Sequence, residues 1–107
     1  MVKVEFFRDR MGFQAMKLTG HAEYNPGQDV VCAGISALAF ALVGTLQGMK
    51  ASFRRRKVDV GVDIEIEPFI YPDDQAVADA VFMTCLTGLR MIEAAHPAHI
   101  DIREVIL

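Results

Sequence analysis

Apolar and polar residues alternate at the start of the chain, with Val2, Val4 and Phe6 set against Lys3 and Glu5. A period of two sends successive side chains to opposite faces, so this stretch reads as a half-buried strand. "DRMG" at 9–12 reads as a turn. Phe13 to Thr19 alternates more loosely and is expected to pair back as a hairpin, ending at Gly20 and His21. The period then changes. Val31, Ile35, Leu38, Leu42 and Leu46 recur at helical spacing, which predicts a helix from Val30 to about Met49. Asp29 precedes it in the position of an N-cap, where a carboxylate accepts the otherwise unpaired first amides. A second stripe of this helix is small: Gly34, Ala37, Ala41, Gly44 and Gly48. Glycine inside a helix costs up to ~1 kcal/mol relative to alanine, so a close neighbour is expected there. The expected contact is Ala37, Ala41 and Gly44 against Cys85 and Gly88 of a second helix.

From Val58 the alternation is strict, with Val58, Val60, Val62, Ile64 and Ile66 against Asp59, Gly61, Asp63, Glu65 and Glu67. One long strand satisfies this pattern. So does a hairpin turning through 59–61 with Gly61 at its left-handed position, and the hairpin is the preferred reading. A second helix is predicted from Asp73, as cap, to Ala95, with Val77, Val81, Cys85, Gly88 and Ile92 on one stripe. Pro97 stops it, and Ile100 and Ile102 begin a last short strand. The order predicts an α+β fold in one domain over 1–107. It is a two-layer sandwich, a mostly antiparallel sheet of four to five strands with two helices packed on one face.

Composition narrows the class. The chain has 107 residues, 52% of them hydrophobic, which suits one core and argues against disorder. The net charge of −3 argues against whole-surface attraction to nucleic acid. No apolar run follows a basic start, so no signal peptide is expected. The longest apolar stretch, around Ala33 to Val43, is interrupted by Gly34, Ser36 and Gly44 and reads as short of the roughly 20 residues of a membrane span; no membrane partner is expected. Two distant cysteines, Cys32 and Cys85, make no disulfide framework, and a cytoplasmic location fits them.

The candidate chemistry lies in "GHAEYNPGQDVVCAGISAL" at 20–38. His21 ends a strand and Cys32 sits in the first turn of the next helix. An ordinary thiol is only about 3% ionised at pH 7, and the thiolate is the nucleophile. A helix N-terminus and a nearby imidazolium both favour the anion, and the imidazole can later protonate a leaving amine. Exposed amides at the helix start can stabilise an oxyanion. Gly20 and Ala22 flank the histidine; Gly34 would leave room for a substrate backbone, and polar Ser36 shares the face of Cys32 one turn on. Asp29 either caps the helix or turns to orient His21. The bland readings stand beside these. Cysteine is often a small buried hydrophobe, and Cys85 on its helix stripe takes that role. His21, Asp29 and Cys32 lack paired ligand spacing, so no metal and no cofactor is expected. The loop 22–28, with Pro26 and Gly27, is an exposed connection or a lid. "FRRRK" at 53–57 reads first as a solvated connection, and second as a patch for RNA or an acidic surface. His96 and His99 flank Pro97 at the second helix end, where the helix dipole accounts for His96.

"GHA" at 20–22 followed by "DVVCAGISAL" at 29–38 resembles the bacterial ribosomal-processing cysteine protease family. The likeness covers nearly the whole chain, and the histidine-to-cysteine block is its specific part. The resemblance implies a Cys32–His21 dyad in a small cytoplasmic homodimer. It also implies a substrate: a large-subunit ribosomal protein precursor, which loses a short N-terminal extension by cleavage after an aromatic residue. Two other classes remain: a non-enzymatic ribosome- or RNA-associated module acting through Arg54, Arg55 and Arg56, and a scaffold associating through the glycine stripe.

Overall fold

The computed structural model describes residues 1–20, 30–49, 53–57, 61–66 and 72–107. The period-two stretches become β1 (Val2–Asp9) and β2 (Gly12–Thr19), and the period-3.6 stretches become α1 (Val30–Gly48) and α2 (Pro72–Ala95). β3 (Phe53–Lys57), β4 (Gly61–Ile66) and β5 (Ile100–Ile106) complete a five-stranded sheet in the order β3-β4-β2-β1-β5. Every pairing is antiparallel except that of β1 with β5. The sandwich expected from the sequence is therefore the one found.

Register explains why only one face is apolar. Val4 pairs with Leu18 and Ile102, Phe6 with Met16, and Met16 with Ile64. All of these are buried. The intervening residues form a row of alternating charge, in which Glu5 pairs with Lys17 and Arg103, and Lys17 with Asp63. Both helices join the core cluster through Val31, Ile35, Leu42 and Leu46 of α1 and Ala78, Phe82, Leu86 and Leu89 of α2, so they lie on the apolar face. Each such large side chain contributes about 1.5–3 kcal/mol when fully buried. An irregularity in the β1–β2 register between Phe7 and Arg8 realigns the hairpin end and sets Phe13 opposite Arg8. Phe13 meets Phe6 edge-on at 6.1 Å and stacks on Phe82 at 5.5 Å.

α1 and α2 are both long and apolar enough to cross a membrane, with mean hydropathy of 2.0 over Val30–Gly48 and 1.2 over Asp74–Ala95. This corrects the expectation that the longest apolar stretch is too short. Gly34, Ser36 and Gly44 do not interrupt the helix, and its apolar stripe is laid on the sheet.

Three boundaries also differ. Residues 53–57 are a strand and not a connection. They pair with β4 from Lys57 opposite Val62 to Phe53 opposite Ile66. The hairpin reading of the following stretch thus holds over the single long strand, but its first arm is "FRRRK" and its connection is 58–60, outside the described residues. α2 begins at Pro72, so Asp73 lies inside the first turn and is not the cap; proline suits a first helical position because its missing N–H would have had no partner there. The last strand is seven residues long, held by β1 along its length.

At the β1–β2 turn a polar clamp fixes α2 to the sheet. Asp79 Oδ1 accepts the Phe13 N–H at 2.8 Å and an Nε2 hydrogen of Gln75 at 2.8 Å, while Gln75 Nε2 also donates to the Phe13 carbonyl at 3.1 Å. Gly12 leaves the room, since a Cβ there would fall on the Asp79 carboxylate. Asp79→Ala strands a backbone donor and a buried amide, so it should lower stability by about 2 kcal/mol. A urea midpoint equal to wild type would show the clamp to be idle.

Candidate active site

Helix packing decides which end of the molecule holds Cys32. α2 starts beside the β1–β2 turn, where Gln75 and Asp79 hold Phe13. It ends beside the start of β1, where the Val2 N–H donates to the His99 carbonyl at 2.9 Å. α1 runs the opposite way. A Cβ on Gly34 would meet Ile92 Cδ1 at 3.3 Å, and one on Gly88 would meet both methyls of Leu38 at 2.9 Å. Cys32 therefore stands at the end where α2 finishes and β1 begins. β2 exits at the same end. Gly20, at φ +95°, lies against the Met1 carbonyl. The chain leaves the described residues at Gly20 and re-enters at Val30, and both points are at this end. His21, Ala22, Asp29 and the loop 22–28 lie outside the described residues, as does any contact between His21 and Cys32.

Cys32 is the third residue of α1, half-buried and packed against the edge of the core. The first turn of α1 carries no acidic residue, so nothing within it offsets the positive end of the helix dipole. Ser36, one turn later, is half-buried like Cys32. The room left by Gly34 is taken by Ile92, and this close helix contact accounts for the glycine. Among the described residues no group of three or more His, Cys, Asp or Glu is gathered as a metal site.

The helix seam differs from the expected one. Ala37, Ala41 and Gly44 are exposed, and a Cβ on Gly44 would meet nothing within 4 Å. The seam is Gly34 and Leu38 against Ile92 and Gly88. Large side chains fill the spaces above glycines, which gains more dispersion contact than small residues facing one another. Cys85 does lie at this seam. It is buried, and its Sγ–H points to the Leu38 carbonyl at 3.6 Å.

The two thiols are thus in different surroundings. Burial pushes the Cys85 thiol from its ordinary value near 9 up to about 12. At pH 7 to 9, iodoacetamide should label half-buried Cys32 and spare Cys85. Protonated Cys85 belongs to the folded state, so its stabilising share is whole below pH 9 and is lost as pH rises toward 12. Above pH 9 the wild type should lose thermal stability more steeply than Cys85→Ala. Equal labelling of both cysteines in the folded protein would overturn this assignment.

The chain is similar to known proteins over nearly its whole length. The family model of cysteine protease Prp matches residues 1–101. Among curated proteins none matches significantly. Two crystal structures of the essential ribosomal processing protease Prp from S. aureus share the fold. The one with a covalently linked product peptide has TM-score 0.84 at 24% identity, covering 97% of this chain and 99% of that one. The one with a substrate peptide has TM-score 0.77 at 23% identity over the same shares. A Streptococcus mutans protein covers 100% of this chain and 96% of its own, at 23% identity and TM-score 0.78. With six residues left outside the match, and a thiol in the first turn of a helix at the end where β2 gives out, the chain belongs to the cysteine protease Prp family.

Proposed function

We propose that this cysteine protease removes a short N-terminal extension from a large-subunit ribosomal protein precursor, cutting after an aromatic residue with a Cys32–His21 dyad. The observation that carries the reading is the position of Cys32, in an acid-free first helical turn at the end where β2 leads into His21. Cys32 Sγ attacks the scissile carbonyl, and the first amides of α1 take the oxyanion. His21 passes the thiol proton to the leaving amine as the C–N bond breaks. The thioester is then hydrolysed by a water that gives its proton to His21, and Cys32 leaves as thiolate. Asp29 caps α1 or orients His21. Gly20 and Ser36 border the substrate. The enzyme works in the cytoplasm as a homodimer.

The test is to incubate the protein with its own organism's large-subunit ribosomal proteins and read N-termini by mass spectrometry. A shortened N-terminus starting just after an aromatic residue, absent with Cys32→Ala, is the expected result. No shortened protein, or cleavage elsewhere, would remove this substrate.

A further inference from the structure

The two broad faces of the molecule carry opposite chemistry. The outer face of the sheet is the charged row of Glu5, Lys17, Asp63 and Arg103. The outer face of the helix layer is neutral. α1 has no charged residue from Val30 to Gly48, and α2 has none from Ala80 to Leu89, in a chain that is 23% charged. The charges that α2 carries beyond its first turn are spent on its flanks. Asp79 holds the β1–β2 turn, and Arg90 joins Glu93 at 3.1 Å and Glu104 of β5 at 3.2 Å. What stands outward instead is apolar or small. Phe40 is 61% exposed, Val77 52% and Met91 70%. Ala33, Ala37, Gly44 and Gly48 of α1 and Ala80 of α2 are exposed beside them. Apolar surface collected on one face in this way marks an interaction site.

The relief of this face fits a copy of itself. A groove of about 250 Å³ between the helices is lined by Leu38, Ala41, Thr45, Val81, Thr84 and Cys85. An apolar cavity of about 150 Å³ already holds benzene, so the groove has room for a phenyl ring. Phe40 offers such a ring from the same helix layer. A projecting ring and a receiving groove on one face suit two-fold pairing, because each copy then gives and takes the same contact. The small residues of α1 let the two helix layers approach closely. Thr84 Oγ1 already donates to the Ala80 carbonyl at 2.8 Å, so covering it strands no donor. Size agrees as well. At 1.5 Å per residue α1 is about 28 Å long, and two adjacent helices are about 20 Å wide, which gives about 600 Å² in projection. Side-chain relief raises this toward the roughly 800 Å² per partner of a stable interface.

We infer that α1 and α2 pair with the same helices of a second copy about a two-fold axis, with Phe40 of each copy seated in the α1–α2 groove of the other. A membrane surface is the other class of partner for an apolar helix face. Helices that lie on membranes carry lysine and arginine beside the apolar stripe. Arg90 is the one cation of α1 and α2, and two glutamates hold it. The inference gives the proposed homodimer its surface and rests on that part of the reading. Its test reads mass and not cleavage, so the pairing and the peptidase activity can fail separately.

The experiment is analytical ultracentrifugation of the whole protein, which should show twice the 11.8 kDa of one chain at concentrations of about 10 µM. Gly44→Arg puts a charge where a Cβ would meet nothing within 4 Å, so a single copy folds unhindered. It should weaken pairing at least about 100-fold, because the charge would be buried without a partner. Thr87→Arg on α2 should do the same, and Phe40→Ala should weaken pairing at least about tenfold. Lys3→Gln, on the charged face, should leave the dimer unchanged. Circular dichroism of all four variants should match wild type. With p-benzoylphenylalanine in place of Phe40, illumination should cross-link two chains, and peptide mass spectrometry should place the link in the α1–α2 groove. A single copy at about 100 µM would overturn the inference. So would a dimer unmoved by both arginine variants, or cross-links that map to the sheet face. Flotation of single copies with phosphatidylcholine–phosphatidylglycerol vesicles would overturn it too and give the face to a membrane.

Discussion

Cys32→Ala is expected to abolish cleavage, and His21→Ala to lower kcat/KM at least about 100-fold, the usual scale for general acid–base catalysis. The double variant should be scarcely slower than Cys32→Ala alone. A nucleophile and the base that serves it act as one unit, so removing the second has little left to remove. Stability separates this from simple damage. Cys32 is half-buried at the rim of the core, and its truncation should cost no more than about 1 kcal/mol. Cys85→Ala is the internal control, because Cys85 lies between the helices and should change stability while leaving turnover intact. Cleavage of an N-terminally extended ribosomal protein, followed by mass spectrometry, measures all four variants. Turnover kept by Cys32→Ala and lost by Cys85→Ala would mean that the nucleophile is the other thiol. Additive losses in the double variant would mean that His21 and Cys32 act separately.

Much of this was legible because two kinds of period write themselves plainly into a sequence. Val2, Val4 and Phe6 alternate because β1 has a buried and a charged face. Ile35, Leu42 and Leu46 recur because α1 lays one stripe on the sheet. β3 was not legible, and the reason is its position. It is an edge strand of the sheet, and "FRRRK" shows no alternation of apolar and polar residues. The helix seam was misplaced for a related reason. The glycines of α1 signal a close approach, but not which of them is approached. The rotation of α1 is set by Ile35, Ala39, Leu42 and Leu46 on the sheet. That leaves Gly34 and Leu38, and not Gly44, facing α2. In the candidate site the histidine-to-cysteine block was readable as chemistry. The meeting of both chain ends at one end of the sheet was not, because it rests on Ile92, Gly88 and His99, which carry no site-like signature of their own.

Gly20 joins the fold to the site, and Gly20→Ala should harm both. Its φ of +95° is a conformation that alanine reaches only with strain, about 1–3 kcal/mol. Space is the second difficulty. A Cβ there would strike the Met1 carbonyl, with Val2 Cα 3.5 Å away. These are backbone atoms, and they cannot swing aside as a flexible side chain would. Val2 is itself held by the His99 carbonyl, so moving the start of β1 loosens the end of α2. Strain and displacement together should cost about 3 kcal/mol, which for a chain of 107 residues lowers Tm by at least about 10 °C. His21 is the next residue along the chain, and a shift near 1 Å in a catalytic group can cost on the order of 100-fold in rate. Assayed at 20 °C, where the variant remains folded, Gly20→Ala should therefore be at least about tenfold slower than wild type. Asp79→Ala, at the opposite end of the sheet, should lose stability and keep its rate under the same conditions. If Gly20→Ala loses Tm and keeps full activity, the β2 exit is a structural joint alone, and the placement of His21 does not depend on it.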